Sequence, residues 1–178
     1  MAHTLTPRIL IAVLALACAP VLYAADKKGD AKLSSNDRNF MKTAAEDNLS
    51  EVELGKVAQQ NASSAEVKQF GQRMADDHAK AQQELETIAQ KLGAQLPNAP
   101  SGSHAKMVKD LSKKTGAKFD QDYTKDMVKD HEKAVSLFEK QSKKADSEDL
   151  KQFAAKTLPT LEHHLQMAES TNTQVMKK

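Results

Sequence analysis

Three histidines and one glutamate occupy positions where helical spacing turns their side chains inward. His78 follows Met74 by four residues and precedes Ala81 by three, and His131 lies four after Met127 and four before Val135. His164 comes three after Leu161, Glu51 falls between Ala44 and Leu54, and His163 points further toward solvent. Residues three or four apart share a helix face, so each of the four polar groups sits on or beside an apolar stripe. A metal site in a helical bundle needs just such inward ligands from facing helices, and imidazole with carboxylate suits zinc, copper or iron. Met74/His78, Met127/His131 and His163/Met167 also put thioether and imidazole on one face, a combination suited to copper. The plainer reading is that these are separate half-buried groups paired with neighbours such as Asp77, Asp130 and Glu162, with methionine as core filler. That plainer reading leads. Its alternative is a metal site of Glu51, His78, His131 and His164, with Met74 and Met127 added if the ion is copper.

Other chemistries find less support. Di-iron carboxylate centres need Glu-x-x-His on two helices, but three residues before His78, His131 and His164 stand Ala75, Val128 and Leu161. No Gly-x-Ser-x-Gly or glycine-rich phosphate loop occurs. With 26 Lys and Arg against 24 Asp and Glu, a net charge of +2 gives no strong reason to expect nucleic acid. The Lys-rich stretch from Lys106 to Lys144 alternates with acids and lacks aromatic stacking platforms, which fits a solvated face. No enzymatic activity is expected.

The elements that must position these groups are helices. The chain is rich in Ala, Lys, Gln and Glu, with 4% aromatic residues, which favours helix over sheet. A first run follows Phe40, Ala44, Glu51, Leu54 and Ala58, with capping residues from Ser34 to Asp37. A second opens at a capping box, Ser63 to Glu66, and continues through Phe70, Met74, Leu85 and Ile88 to a terminal Gly93. The third starts after Gly116 and carries Phe119, Tyr123, Met127, His131 and Phe138. The fourth is capped at Ser147 and carries Leu150, Phe153, Leu161, Leu165 and Ala168, with a kink expected at Pro159.

Joints of a few residues force antiparallel hairpins, while the long connection from Gly93 to Gly116 leaves room for a crossover with a short extra helix, Ser103 to Lys114. The expected fold is all-α: a ferritin-like four-helix bundle over residues 36–175, two antiparallel hairpins joined by that crossover. A repeat agrees, since Ser64 to Phe70 matches Ser147 to Phe153 with Ser, Lys, Gln and Phe at the same offsets. A competing match of Met74–Ala81 with Met127–Ala134 pairs the second run with the third and breaks hairpin order. Gly55 and Gly71, inside helices, are expected to let the first hairpin pack closely.

The N-terminus reads as an export signal. Arg8 precedes an apolar run from Ile9 to Ala17 that is too short to span a bilayer, Pro20 breaks it, and cleavage is expected after Ala24. Residues 1–24 are then a signal peptide and 25–35 a mobile linker. The mature chain is expected in the periplasm, with no membrane-spanning segment. Cys18 in Ala15-Leu16-Ala17-Cys18 offers the alternative of a lipid anchor and a membrane-tethered lipoprotein.

The stretch from Phe40 through Ala44-Ala45 and Glu51-Val52-Glu53-Leu54-Gly55 to Val67-Lys68-Gln69-Phe70 and Met74-Ala75-Asp76-Asp77-His78 resembles a bacterial exported family of unknown function. Phe119-Asp120, Tyr123, His131, Phe153-Ala154, Leu158-Pro159 and His164-Leu165 continue the likeness over roughly residues 36 to 170. Members of that family are often labelled outer membrane proteins and are assigned a ferritin-like helical bundle, which is what the resemblance implies here. It implies no activity. No β-barrel pattern accompanies the outer-membrane label. The family's usual glycine between the Ala pair and the Glu is Asn48 in this chain, a departure expected to matter little if that face is exposed.

Together these readings give a non-catalytic exported bundle of structural, stress-related or interaction role, with an unidentified protein as its partner. Transition-metal sequestration or sensing is the alternative. Buried imidazoles would further make unfolding midpoints differ between pH 5 and pH 8, and a His78→Gln, His131→Gln double variant that kept the full difference would contradict that cause.

Overall fold

The computed structural model describes residues 33–177; the expected signal peptide, Cys18 and the linker up to Lys32 lie outside the described residues. Among the described residues the secondary structure is five helices, with no strand. They are α1 (Ser35–Asn61), α2 (Ala65–Lys91), α3 (Gly102–Leu111), α4 (Gly116–Lys144) and α5 (Glu148–Met176). No helix among the described residues is long and apolar enough to cross a membrane.

Local signals account for most of the ends. Ser34 caps α1, its hydroxyl accepting the Asp37 N–H at 3.0 Å. At the end of α2, Gly93 takes φ +64°, and the Ala94 N–H reaches the Ala89 carbonyl at 2.9 Å, the six-to-one bond of a Schellman motif. One expected cap shifts. Ser64, not Ser63, caps α2, because Ser63 is drawn across to α4: its N–H and hydroxyl donate to the Asp120 carboxylate at 3.1 and 2.5 Å, and the Ser64 N–H adds a third bond at 2.9 Å. At Ser147, which caps α5 as expected, the hydroxyl makes no capping bond. The Asp37 carboxylate instead accepts from the N–H groups of Asp146 and Ser147 at 3.1 and 2.8 Å.

Each hairpin therefore lends an early-helix aspartate to the helix start of the other. Asp37 and Asp120 stand the same interval apart as Ser64 and Ser147. The hairpin-to-hairpin repeat consequently extends through all four long helices, and the competing match is not needed.

Short joints of three residues bring α1 onto α2 and α4 onto α5, and α2 also packs on α5 and α1 on α4. The core falls into two apolar clusters. One joins Phe40, Met41, Leu85, Phe138, Leu150 and Phe153, from the start of α1 and α5 and the end of α2 and α4. The other joins Leu54, Val67, Phe70, Phe119, Tyr123 and Met127, from the opposite ends of those helices. Between them, on every long helix, come buried polar residues: Asn48, Glu51, His78, Gln82, His131 and His164. A polar layer thus divides the core at mid-height. The connection after α2 runs from one end to the other, with Leu92 and Leu96 on the first cluster and Met107, Val108 and Leu111 of α3 on the second. Helix α3 lies against α1 and α4.

Gly55 and Gly71 mark the closest approach of α1 and α2. A Cβ on Gly55 would run into the Gly71 carbonyl oxygen and come within 3.0 Å of the Ala75 nitrogen. Alanine gains about 1 kcal/mol over glycine in a helix interior, but overpacking costs about 1–3 kcal/mol, and here the obstacle is backbone that cannot rotate aside. Gly55→Ala is therefore expected to destabilise by about 1–2 kcal/mol, or about 2–8 °C for a chain of this size. A thermal melt with an unchanged or raised midpoint would refute that close approach.

Candidate metal centre

Four of the sequence-predicted groups are buried, with exposures of 4% for Glu51, 5% for His78 and 1% each for His131 and His164. Helical phase alone delivers this, since each histidine follows an apolar residue by three or four positions and Glu51 precedes Leu54 by three. Register between helices does the rest. His78 of α2, His131 of α4 and His164 of α5 meet as a triangle of rings with centroids 5.4 to 5.6 Å apart. One ligand nitrogen from each lies within 4.8 Å of the others. Glu51 stands outside this mutually close set. Met74 and Met127 are fully buried in the second apolar cluster, as core packing.

Hydrogen bonds fix the tautomer of each ring. His131 Nδ1 lies 2.9 Å from the Met127 carbonyl oxygen, which can only accept, so Nδ1–H donates. His164 Nε2 lies 3.2 Å from Asp77 Oδ2 and donates likewise. His78 Nδ1 donates to Asn48 Oδ1 at 3.0 Å. What remains is His78 Nε2, His131 Nε2 and His164 Nδ1, all buried without a hydrogen-bond partner. In neutral imidazole these are lone pairs. Three inward lone pairs with no donor, each backed by an outward acceptor, is the ligand-plus-orienting-partner arrangement of metal-binding histidine.

Electrostatics keep the rings neutral. Burial, followed by the neighbouring imidazoles, pushes His78 well below the ordinary imidazole range, and burial pushes His131 down to about 4. Burial also lowers His164, although the Asp77 hydrogen bond works against it. Around Asp77, partial burial disfavours the charge, yet hydrogen bonds from Arg73, His164 and Lys80 outweigh it and hold the carboxyl at about 2. Glu51 behaves oppositely: burial, then the charges of Asp130 and Asp47, raises it well above the carboxylate range. Its Oε2 and the Tyr123 hydroxyl are likewise buried without partners.

Bonds of about 2.1 Å require the three nitrogens to sit closer than the 4.8 Å bound, which inward shifts of up to about 0.7 Å per ring supply. The donor set therefore fits a transition-metal ion that accepts imidazole nitrogen.

Asn48 is a correction to the sequence reading. It is 4% exposed, not on an exposed face, and it is the residue that orients His78. A polar residue on an apolar stripe was the available signal, the same one that marked Glu51. The expected partners divide as follows: Asp77 does pair with His164, whereas Asp130 pairs with Lys133, and Glu162 is exposed. His104 of α3, with Ser101 three residues before it, lacks the preceding apolar residue within its helix that marks the three buried histidines. Its Nε2 contacts Asp47 Oδ1 at 2.7 Å, and that hydrogen bond raises its affinity for protons despite partial burial.

The family described as "Domain of unknown function (DUF4142)" matches residues 23–171. Among solved structures, a DUF305 fragment from Deinococcus radiodurans is similar with a TM-score of 0.69 at 13% identity, covering 80% of this chain and 98% of that one. At that identity the likeness speaks to the helical fold alone. No curated protein matches the chain.

Proposed function

We propose, for a chain that belongs to the DUF4142 family of unknown function, that it binds one transition-metal ion at His78, His131 and His164 and serves in metal sequestration or sensing. The scaffold we propose is a ferritin-like four-helix bundle, working in the periplasm after removal of residues 1–24, or tethered through Cys18 if that residue is lipidated.

One observation carries the reading: three buried rings bring a nitrogen each within 4.8 Å of one another, and in every ring one nitrogen is held by an acceptor while the other has no partner. Each unmet buried polar atom costs about 1–3 kcal/mol, a large fraction of typical protein stability. A cation satisfies all three at once. Neutral nitrogen donors without thiolate suit zinc, copper(II) or ferrous iron.

Elemental analysis of protein purified from the periplasm, followed by titration of zinc, copper and iron into the metal-free form, tests this. One equivalent is expected to bind. Free metal at about 100 times Kd should stabilise by about 2.7 kcal/mol, which is about 5–11 °C in the unfolding midpoint. No stoichiometric metal and no shift would overturn the proposal. The result would then favour a structural or interaction role, which draws support from the partner each ring already has. Asn48→Ala should weaken metal affinity about 10–100-fold without loss of helix content, the usual effect of removing a ligand's orienting partner. Unchanged affinity would show that Asn48 does not position His78.

A further inference from the structure

Three imidazoles leave a transition-metal ion short of the usual four ligands. Structural zinc sites close that fourth position with protein, whereas reactive ones leave it to an exchangeable molecule. Beside the triad lies a cavity of about 20 Å³, bounded by Glu51, His78, His131, Asp47, Asp130 and Ala134. A water needs about 10–15 Å³ of such space and two to four polar partners. The unpartnered Glu51 Oε2, His78 Nε2 and His131 Nε2 belong to residues of this wall. Glu51 does not join the mutually close nitrogens, yet it shares the wall of this cavity with His78 and His131. No Lys or Arg lines the cavity. Asp47, Asp130 and Ala134 also line a cleft of about 620 Å³ among α1, α3 and α4, which places the cavity next to a much larger opening.

We propose that the fourth coordination position is left open to an exchangeable, water-sized ligand, water or a small anion, held against Glu51 and reached from the α1–α3–α4 cleft. This rests on metal binding by the three histidines. Glu51 is then a positioning residue for that ligand. A space this small excludes organic substrates.

Cobalt(II) as the metal and fluoride, an anion of about the size of water, make the test direct. With one equivalent of cobalt bound, fluoride should change the visible absorption bands in a saturable manner. Glu51→Leu should still bind one equivalent of cobalt but take up fluoride about tenfold more weakly, and Glu51→Gln, which keeps a hydrogen-bonding group, should stay within about threefold of the wild type. Ala134→Leu, at the boundary of cavity and cleft, should slow fluoride uptake without changing the cobalt stoichiometry. If cobalt binds and fluoride leaves the spectrum unchanged, the position is closed and the inference is overturned. The same holds if Glu51→Gln and Glu51→Leu both lose cobalt as severely as His131→Ala, since Glu51 would then be the fourth ligand. Failure of the wild type to bind any cobalt would instead overturn the metal reading itself, and this inference with it.

Discussion

Metal-free His131→Leu is expected to melt higher than the metal-free parent while losing the rise that metal produces. His131 is 1% exposed, its Nε2 has no partner, and its Nδ1 bonds only to the Met127 carbonyl one turn earlier in its own helix. Leucine of similar volume removes an unmet polar atom worth about 1–3 kcal/mol and forfeits one hydrogen bond worth about 1 kcal/mol. Burial of more apolar surface adds to the balance. A net gain of about 1–2 kcal/mol is expected at pH 7, or about 2–8 °C. Metal affinity should fall by more than the 10–100-fold typical of losing an orienting partner, because a ligand itself is gone. Paired melts with and without zinc decide the matter. A variant that is less stable without metal, yet gains as much from zinc as the parent, would contradict the role assigned to His131.

Acid should destabilise the metal-free protein from about pH 6.5 downward, above the range in which ordinary carboxylates protonate. The folded-state pKa of His131, about 4, lies below the ordinary imidazole value near 6.5, so the unfolded chain takes up the proton first as pH falls. Stability is full above about pH 6.5, declines through the window between the two values, and levels off below about 4. From His131 alone the loss is about 2 kcal/mol at pH 5. His78 and His164 shift in the same direction and add to it.

Glu51 acts with the opposite sign. Its pKa is raised in the folded state, so it contributes stability at low pH that is lost as pH rises through the raised value. The Asp77 carboxyl titrates below this window and takes no part between pH 7 and 5. Denaturant unfolding at pH 7 and 5 should therefore show a loss that His131→Leu makes smaller and Glu51→Gln makes larger. Parallel profiles for all three proteins would exclude these buried groups as the cause.

The helices, their order and the inward placement of Glu51, His78, His131 and His164 were legible because 3.6-residue periodicity is local information. Contacts between helices were not. Ser63 leaves its cap because Asp120 lies opposite it, and Asp37 takes over the start of α5 across the whole chain. Neither follows from spacing within one helix. Nor does the exclusion of Glu51 from the close set, since helical phase says which residues face inward but not at which height their tips meet. Asn48 carries the same signal as the histidines, but only packing between α1 and α2 decides that its face is buried against His78. The hydrogen-bond acceptors behind each ring, which decide where the lone pairs point, come from another helix for His78 and His164 and from a neighbouring turn for His131.

Dividing the apolar core at mid-height gives the molecule a waist. Water-excluding contact between the hairpins is concentrated above and below it, and each of those ends is clasped by a carboxylate, Asp37 at one and Asp120 at the other. At the waist itself α2, α4 and α5 meet through polar side chains, which add little cohesion of their own. An ion shared by those three helices would act there as a reversible cross-link, tying distant parts of the chain where hydrophobic packing does not.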